Sequence, residues 1–140
     1  MKLAVAFAVA LAAIGGLSAV AAADDLNGNY DLKLVDNGSS CSTPPVTMRS
    51  ATLRIEVKQG TLRANIPTIP QMTGVAKGDA VDAKTTKVAP STVQGLDATY
   101  ALAGKLQDGM LALSLEADYS VKGKPYCTQS WKVTGVRQKP

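Results

Sequence analysis

The sequence predicts an all-β domain, a small antiparallel up-and-down meander of about eight strands. A closed barrel is preferred over a two-sheet sandwich, because a meander that brings its first strand beside its last removes both exposed edges. Three observations carry this. Apolar and polar residues alternate with period two in several separate runs. Glycine turn dipeptides between those runs bring the apolar sets onto one face. No stretch shows a convincing helical pattern.

The first run places Tyr30, Leu32 and Leu34 on one side, with Asp31 and Lys33 on the other. Leu53, Ile55 and Val57 then alternate with Arg54, Glu56 and Lys58, and Leu62, Ala64 and Ile66 with Arg63 and Asn65. If Gln59-Gly60 is a two-residue turn, Lys58 faces Thr61, Val57 faces Leu62 and Ile55 faces Ala64. The longest run spans Leu96 to Val121 and contains Asp108-Gly109, a favoured hairpin dipeptide. That turn sets Leu106 opposite Leu111, Gly104 opposite Leu113, Leu102 opposite Leu115, Tyr100 opposite Ala117 and Ala98 opposite Tyr119. A slip of one residue at either turn would send one apolar set to water.

The next connection, Gly123-Lys124-Pro125, reads as a three-residue loop with Lys122 facing Tyr126. Cys127, Gln129, Trp131 and Val133 then point inward, with Trp131 opposite Ala117. The last strand ends near Val136, and Gln138-Lys139-Pro140 is a polar tail. Between Pro67 and Thr92, prolines and glycines dilute the pattern. Two strands are expected there, Met72–Ala76 and Ala80–Val88, in competition with a short helix starting near Asp79.

Residues 1–23 read as a cleaved secretory signal peptide, leaving residues 24–140 as a single β-barrel-like domain. Lys2 precedes an uncharged stretch from Leu3, and Ala21-Ala22-Ala23 supplies small residues ahead of Asp24-Asp25. The expected location is periplasmic or secreted, with no stable membrane insertion after cleavage. The chain's charge of +4 falls to +3 without Lys2, and its basic residues are interleaved with acids, as in Arg54-Ile55-Glu56-Val57-Lys58. Aromatic residues are scarce, so a nucleic-acid surface is not expected. Cys41 and Cys127, both in the exported part, are expected to form a disulfide. Closing that long loop stabilises by up to about 4–5 kcal/mol in the chain-entropy view.

Chemistry is constrained mainly by what is missing. There is no His, which removes the usual general base and the commonest metal ligand. Glu56 and Glu116 are the only glutamates and both fall on outward positions, as do Asp31, Asp97 and Asp118. Asp79 and Asp82 are too sparse for an oxygen-ligand metal site, and no glycine-rich phosphate loop follows a strand. Neither enzymatic activity nor a cofactor or metal is expected.

The inward set mixes large residues with small ones such as Ala64, Ala98, Gly104 and Ala117. Tyr100, Tyr119, Gln129 and Trp131 add polar groups to an apolar wall and are the candidate ligand-binding residues. The small residues serve equally well to fit the taper of a barrel filled by its own side chains. Gly28-Asn29-Tyr30 on the first strand, with Trp131 and Arg137 on the last, resembles the Gly-x-Trp and terminal Arg of lipocalins. The likeness covers four residues, has Tyr in place of the Trp, and implies barrel architecture alone.

Three functions fit these observations. The leading expectation is a non-enzymatic exported barrel that binds a small, partly apolar molecule. The alternative is a protein-interaction module, such as an inhibitor of an envelope hydrolase, using Asp36–Val46 and Pro67–Thr92 as its surface. A third is a structural envelope protein without a ligand. An open interior favours the first, and a filled one favours the others. Intact-mass analysis of protein from its own envelope is expected to give a chain starting at Asp24 with one internal disulfide; full-length chain in the membrane fraction would contradict it.

Overall fold

The computed structural model describes residues 26–139. The expected signal segment, its cleavage point before Asp24 and the terminal Pro140 lie outside the described residues. Nine strands and no helix occur among them: β1 (Gly28–Ser39), β2 (Ser50–Lys58), β3 (Thr61–Asn65), β4 (Met72–Val75), β5 (Ala80–Thr85), β6 (Ala89–Pro90), β7 (Asp97–Gln107), β8 (Met110–Val121) and β9 (Lys124–Arg137). All pairings are antiparallel, and they form a ring. The ladder runs from β5 through β4, β3, β2, β1, β9 and β8 to β7, and β7 pairs with β5 to close it. Strand β6 pairs with the same edge of β7, at Ala98 and Asp97, where β5 has already ended. The sheet is therefore a closed barrel, not a sandwich.

Both glycine turns have the expected register. Lys58 pairs with Thr61 and Ile55 with Ala64; Gln107 pairs with Met110 and Leu102 with Leu115. Gln59 and Gly60 have φ of 52° and 78°, and Asp108 and Gly109 have 53° and 79°. Positive φ at both central residues matches the twist of the flanking strands, so these tight turns join them without splaying. Gly104 is held to glycine by two constraints. Its φ is +153°, and an added Cβ would run into the carbonyl oxygen of Ala112 on the neighbouring strand.

The third hairpin differs from the sequence reading. Its turn is the two-residue Lys122-Gly123, with φ of 49° and 80°, and Val121 pairs with Lys124. The extra residue is absorbed one step later, where Ser120 pairs with Pro125 but Tyr119 pairs with Cys127. Pro125 has no N–H to give the ladder, and the strand bulges beside it, leaving Tyr126 61% exposed. Trp131 consequently sits opposite Leu115, not Ala117, and Gln129 takes the place opposite Ala117. The displacement is two residues, so the inward and outward faces are unchanged.

The Pro67–Thr92 stretch supplies β4 and β5, each shorter than expected. No helix starts at Asp79; Lys77 and Ala80 instead close a tight turn through the Ala80 N–H and the Lys77 carbonyl, 3.0 Å apart. β5 stops at Thr85 because its side chain takes over the pairing. Thr85 Oγ1 accepts from the Tyr100 N–H at 3.0 Å, a bond that main chain would otherwise make.

The register sorts the connections between the two ends of the barrel. One end, the turn end, carries the tight turns at 59–60, 76–79 and 108–109 together with Leu26 and Gln138. The other, the loop end, carries residues 40–49, 66–71 and 86–96 and the turn at 122–123. Cys41 and Cys127 form a disulfide at the loop end, with Cα atoms 5.0 Å apart and 86 residues between them in sequence. Such a bond belongs to an oxidising, non-cytoplasmic setting.

Side chains of alternate residues fill the interior. Tyr30, Leu53, Leu62, Met72, Leu102, Leu111, Leu115 and Trp131 have no exposed surface. Truncating Leu115 to Ala is expected to cost about 2–5 kcal/mol of stability, whereas Glu116→Ala, one position along and facing water, changes it by less than about 0.5 kcal/mol. Equal losses in chemical denaturation would contradict the strand parity.

Candidate functional site

The four candidate residues all point into the barrel, in its half nearer the loop end. Tyr100 comes from β7, Tyr119 from β8, and Gln129 and Trp131 from β9. Three of them are linked by chemistry or position. The Tyr119 hydroxyl donates to Gln129 Oε1 at 2.9 Å. The Gln129 amide donates in turn to the Val46 carbonyl, at 2.7 Å, so this relay ties the barrel wall to the β1–β2 connection above it. Trp131 lies two residues further along β9 on the same inner face, where the strand's pleat sets it deeper in the barrel.

Burial governs the electrostatics here. Gln129 and Tyr119 are each 2% exposed, and Tyr100 is 6% exposed. Loss of hydration raises the Tyr119 hydroxyl well above the ordinary tyrosine range, and the neighbouring Tyr100 raises it further. Burial raises Tyr100 as well. Both tyrosines are therefore neutral donors at any physiological pH. Trp131 is the exception to a satisfied interior: its Nε1–H is the one buried side-chain polar atom, among the described residues, without a partner. Such a group costs about 1–3 kcal/mol relative to a bonded one.

The cluster is closed in this structure. Trp131 has no surface that water can reach, and the small residues Ala98 and Ala117 sit against the tyrosines in the barrel wall. Val46 and Met48 of the overlying connection pack onto the core as well. Shallow clefts open to solvent beside two of the four: one of about 460 Å³ has Thr73, Lys84, Thr99, Tyr100 and Asp118 in its lining, and one of about 440 Å³ at the loop end has Ser40, Tyr119, Tyr126 and Cys127. Glu56 and Glu116 are outward-facing, and Glu56 holds a surface ion pair with Arg54 at 2.9 Å.

Two contributors were not visible in the sequence. Val46 enters through its main-chain oxygen, which no side-chain pattern signals. Leu26 precedes the first alternating run, yet it is wholly buried at the turn end. There the Tyr30 hydroxyl donates to the Leu26 carbonyl at 2.9 Å, and Arg137 donates to the same hydroxyl at 2.8 Å. The Arg137 guanidinium also lies 5.4 Å from the centre of the Tyr30 ring. The Gly28-Asn29-Tyr30 and Arg137 likeness thus corresponds to a real contact between first and last strands. No protein-family model matches this chain, and a search of curated proteins finds no relative.

The raised tyrosines have a consequence for stability. The folded protein keeps protons on Tyr119 and Tyr100 that the unfolded chain releases near pH 10. Their contribution is therefore fully present below that pH and declines as pH rises above it. Denaturation midpoints are expected to fall as pH rises above about 10, with a shallower fall in Tyr119→Phe; a variant as alkali-sensitive as the parent would contradict the assignment to Tyr119.

Proposed function

We propose that this is an exported, non-enzymatic protein-binding module of the bacterial periplasm that meets its partner with the loop end of the barrel. Inhibition of an envelope hydrolase is the form of activity that suits it best. One observation carries the reading: the three long connections, 40–49, 66–71 and 86–96, converge on a single end, above a filled interior. Of the two segments singled out in the sequence, residues 40–46 of the first and 67–71 and 86–92 of the second lie at this end, while β4, β5 and the turn at 76–79 do not.

Several features support a recognition surface at this end. The disulfide pins the first connection to β9. Prolines stiffen all three, with Pro44-Pro45, Pro67, Pro70 and Pro90 in them or at their borders. Tyr126, Val88, Val93 and Val121 are exposed at this end. Exposed aromatic and aliphatic groups supply the anchors of an interface. The packed core favours this reading over a permanently open ligand chamber.

The test is site-specific photo-cross-linking in the native envelope, with the reactive residue at Thr43 or Ser91 on the loop end and at Gln59 or Asp108 on the turn end. Discrete adducts from the loop-end positions alone are expected. Adducts from the turn end alone, or from neither, would overturn the proposal.

A further inference from the structure

The connection above the candidate cluster forms a strap, hydrogen-bonded at its two ends and almost nowhere between. At one end Cys41 is bonded to Cys127, and Ser40 and Thr128 exchange hydrogen bonds of 2.9 and 2.8 Å. At the other, the Leu34 N–H donates to the Arg49 carbonyl at 2.9 Å. Residues 42–48 make one hydrogen bond, from Gln129 Nε2 to the Val46 carbonyl. Deeper in the same half of the barrel, the Trp131 N–H is buried without an acceptor.

The balance of donors and acceptors defines what the strap is covering. The cluster's Gln129 amide donates to the strap, and the Trp131 N–H is a donor with no acceptor. The side-chain carbonyl, Gln129 Oε1, is already taken by Tyr119. No ionised side chain belongs to the cluster, and its tyrosines are held in their neutral forms. The strap supplies one acceptor, the Val46 carbonyl, flanked by the apolar side chains of Val46 and Met48 packed on the core. An apolar group carrying a carbonyl is therefore what the site holds now.

We infer that residues 42–48 are a displaceable plug over a binding site for a neutral, mainly apolar small molecule bearing a carbonyl group. The molecule replaces Val46 as the acceptor for Gln129, and the Trp131 N–H is a further donor to it. The strap swings on its two anchored ends, so the disulfide remains intact and the barrel wall does not open. A closed majority state lowers the apparent affinity in proportion to the open fraction, and weakening the plug raises it. This inference stands apart from the loop-end interaction surface, since its ligand lies beneath the strap and not upon it.

Trp131 is the only tryptophan, so its indole N–H gives a single resonance in a ¹⁵N-correlated spectrum. The oxidised protein is titrated with 2-nonanone, with nonanoate as the anionic control and 1-nonene as the control without an oxygen. The expected result is a saturable shift of the indole resonance with the ketone, and binding of both controls weaker by roughly three- to tenfold or more, the size of one hydrogen bond. Val46→Ala, which keeps the carbonyl and trims the plug, is expected to bind the ketone more tightly than the parent. No saturable shift in either protein, or an equal response to ketone and controls, would overturn the inference.

Discussion

The pairing of β1 with β9 is the constraint on which the rest of the structure depends. Hairpins join sequence neighbours almost automatically, but this seam brings together the two ends of the domain. Its register runs from Tyr30 opposite Arg137 to Ser39 opposite Gln129. Each end of the seam has its own fastening. At the turn end, Arg137, Tyr30 and the Leu26 carbonyl form a continuous hydrogen-bonded chain, and the Gln138 N–H donates to Asn29 beyond the last strand. At the loop end, the disulfide and the Ser40–Thr128 exchange hold the first strand's exit against the start of the last.

Closure determines what the interior can be. Eight ring positions leave a space that side chains just fill, and large residues here face small ones across the ladder: Tyr100 meets Ala117, and Tyr119 meets Ala98. The polar relay from Tyr119 through Gln129 to Val46 then serves two ends at once. It satisfies buried groups that would otherwise be costly, and it fastens the strap across the barrel mouth. The turns at the other end are too short to reach over the opening, and there Leu26 is buried with its carbonyl accepting from Tyr30. Asymmetry between the ends follows from connection length, and so does the placing of both proposed sites at the loop end.

Much of this architecture was legible because turn chemistry and alternation agree. Gln59-Gly60 and Asp108-Gly109 each fix a register, and each register puts Leu and Ile inside. The hairpin at Lys122-Gly123 was read with a longer loop because Pro125 looked like part of the turn. Its effect falls one rung later, as a bulge that ejects Tyr126. Between Pro67 and Thr92, Thr85 ended β5 through a side-chain bond, a substitution that alternation cannot register. Tyr100, Tyr119, Gln129 and Trp131 were legible as inward-facing. Their mutual arrangement was not, because it depends on the main-chain carbonyl of Val46 and on a closed ring that brings β9 beneath the β1–β2 connection.

If the ring is closed by its own hydrogen bonds, the disulfide fastens the strap and is not what holds the barrel shut. Amide hydrogen exchange on a Cys41→Ala, Cys127→Ala double variant measures this directly. The account predicts that amides crossing the β1–β9 seam stay as slow as those of the β7–β8 hairpin, while residues 42–48 exchange freely. Rapid exchange along β1 and β9, with β7 and β8 still protected, would contradict it.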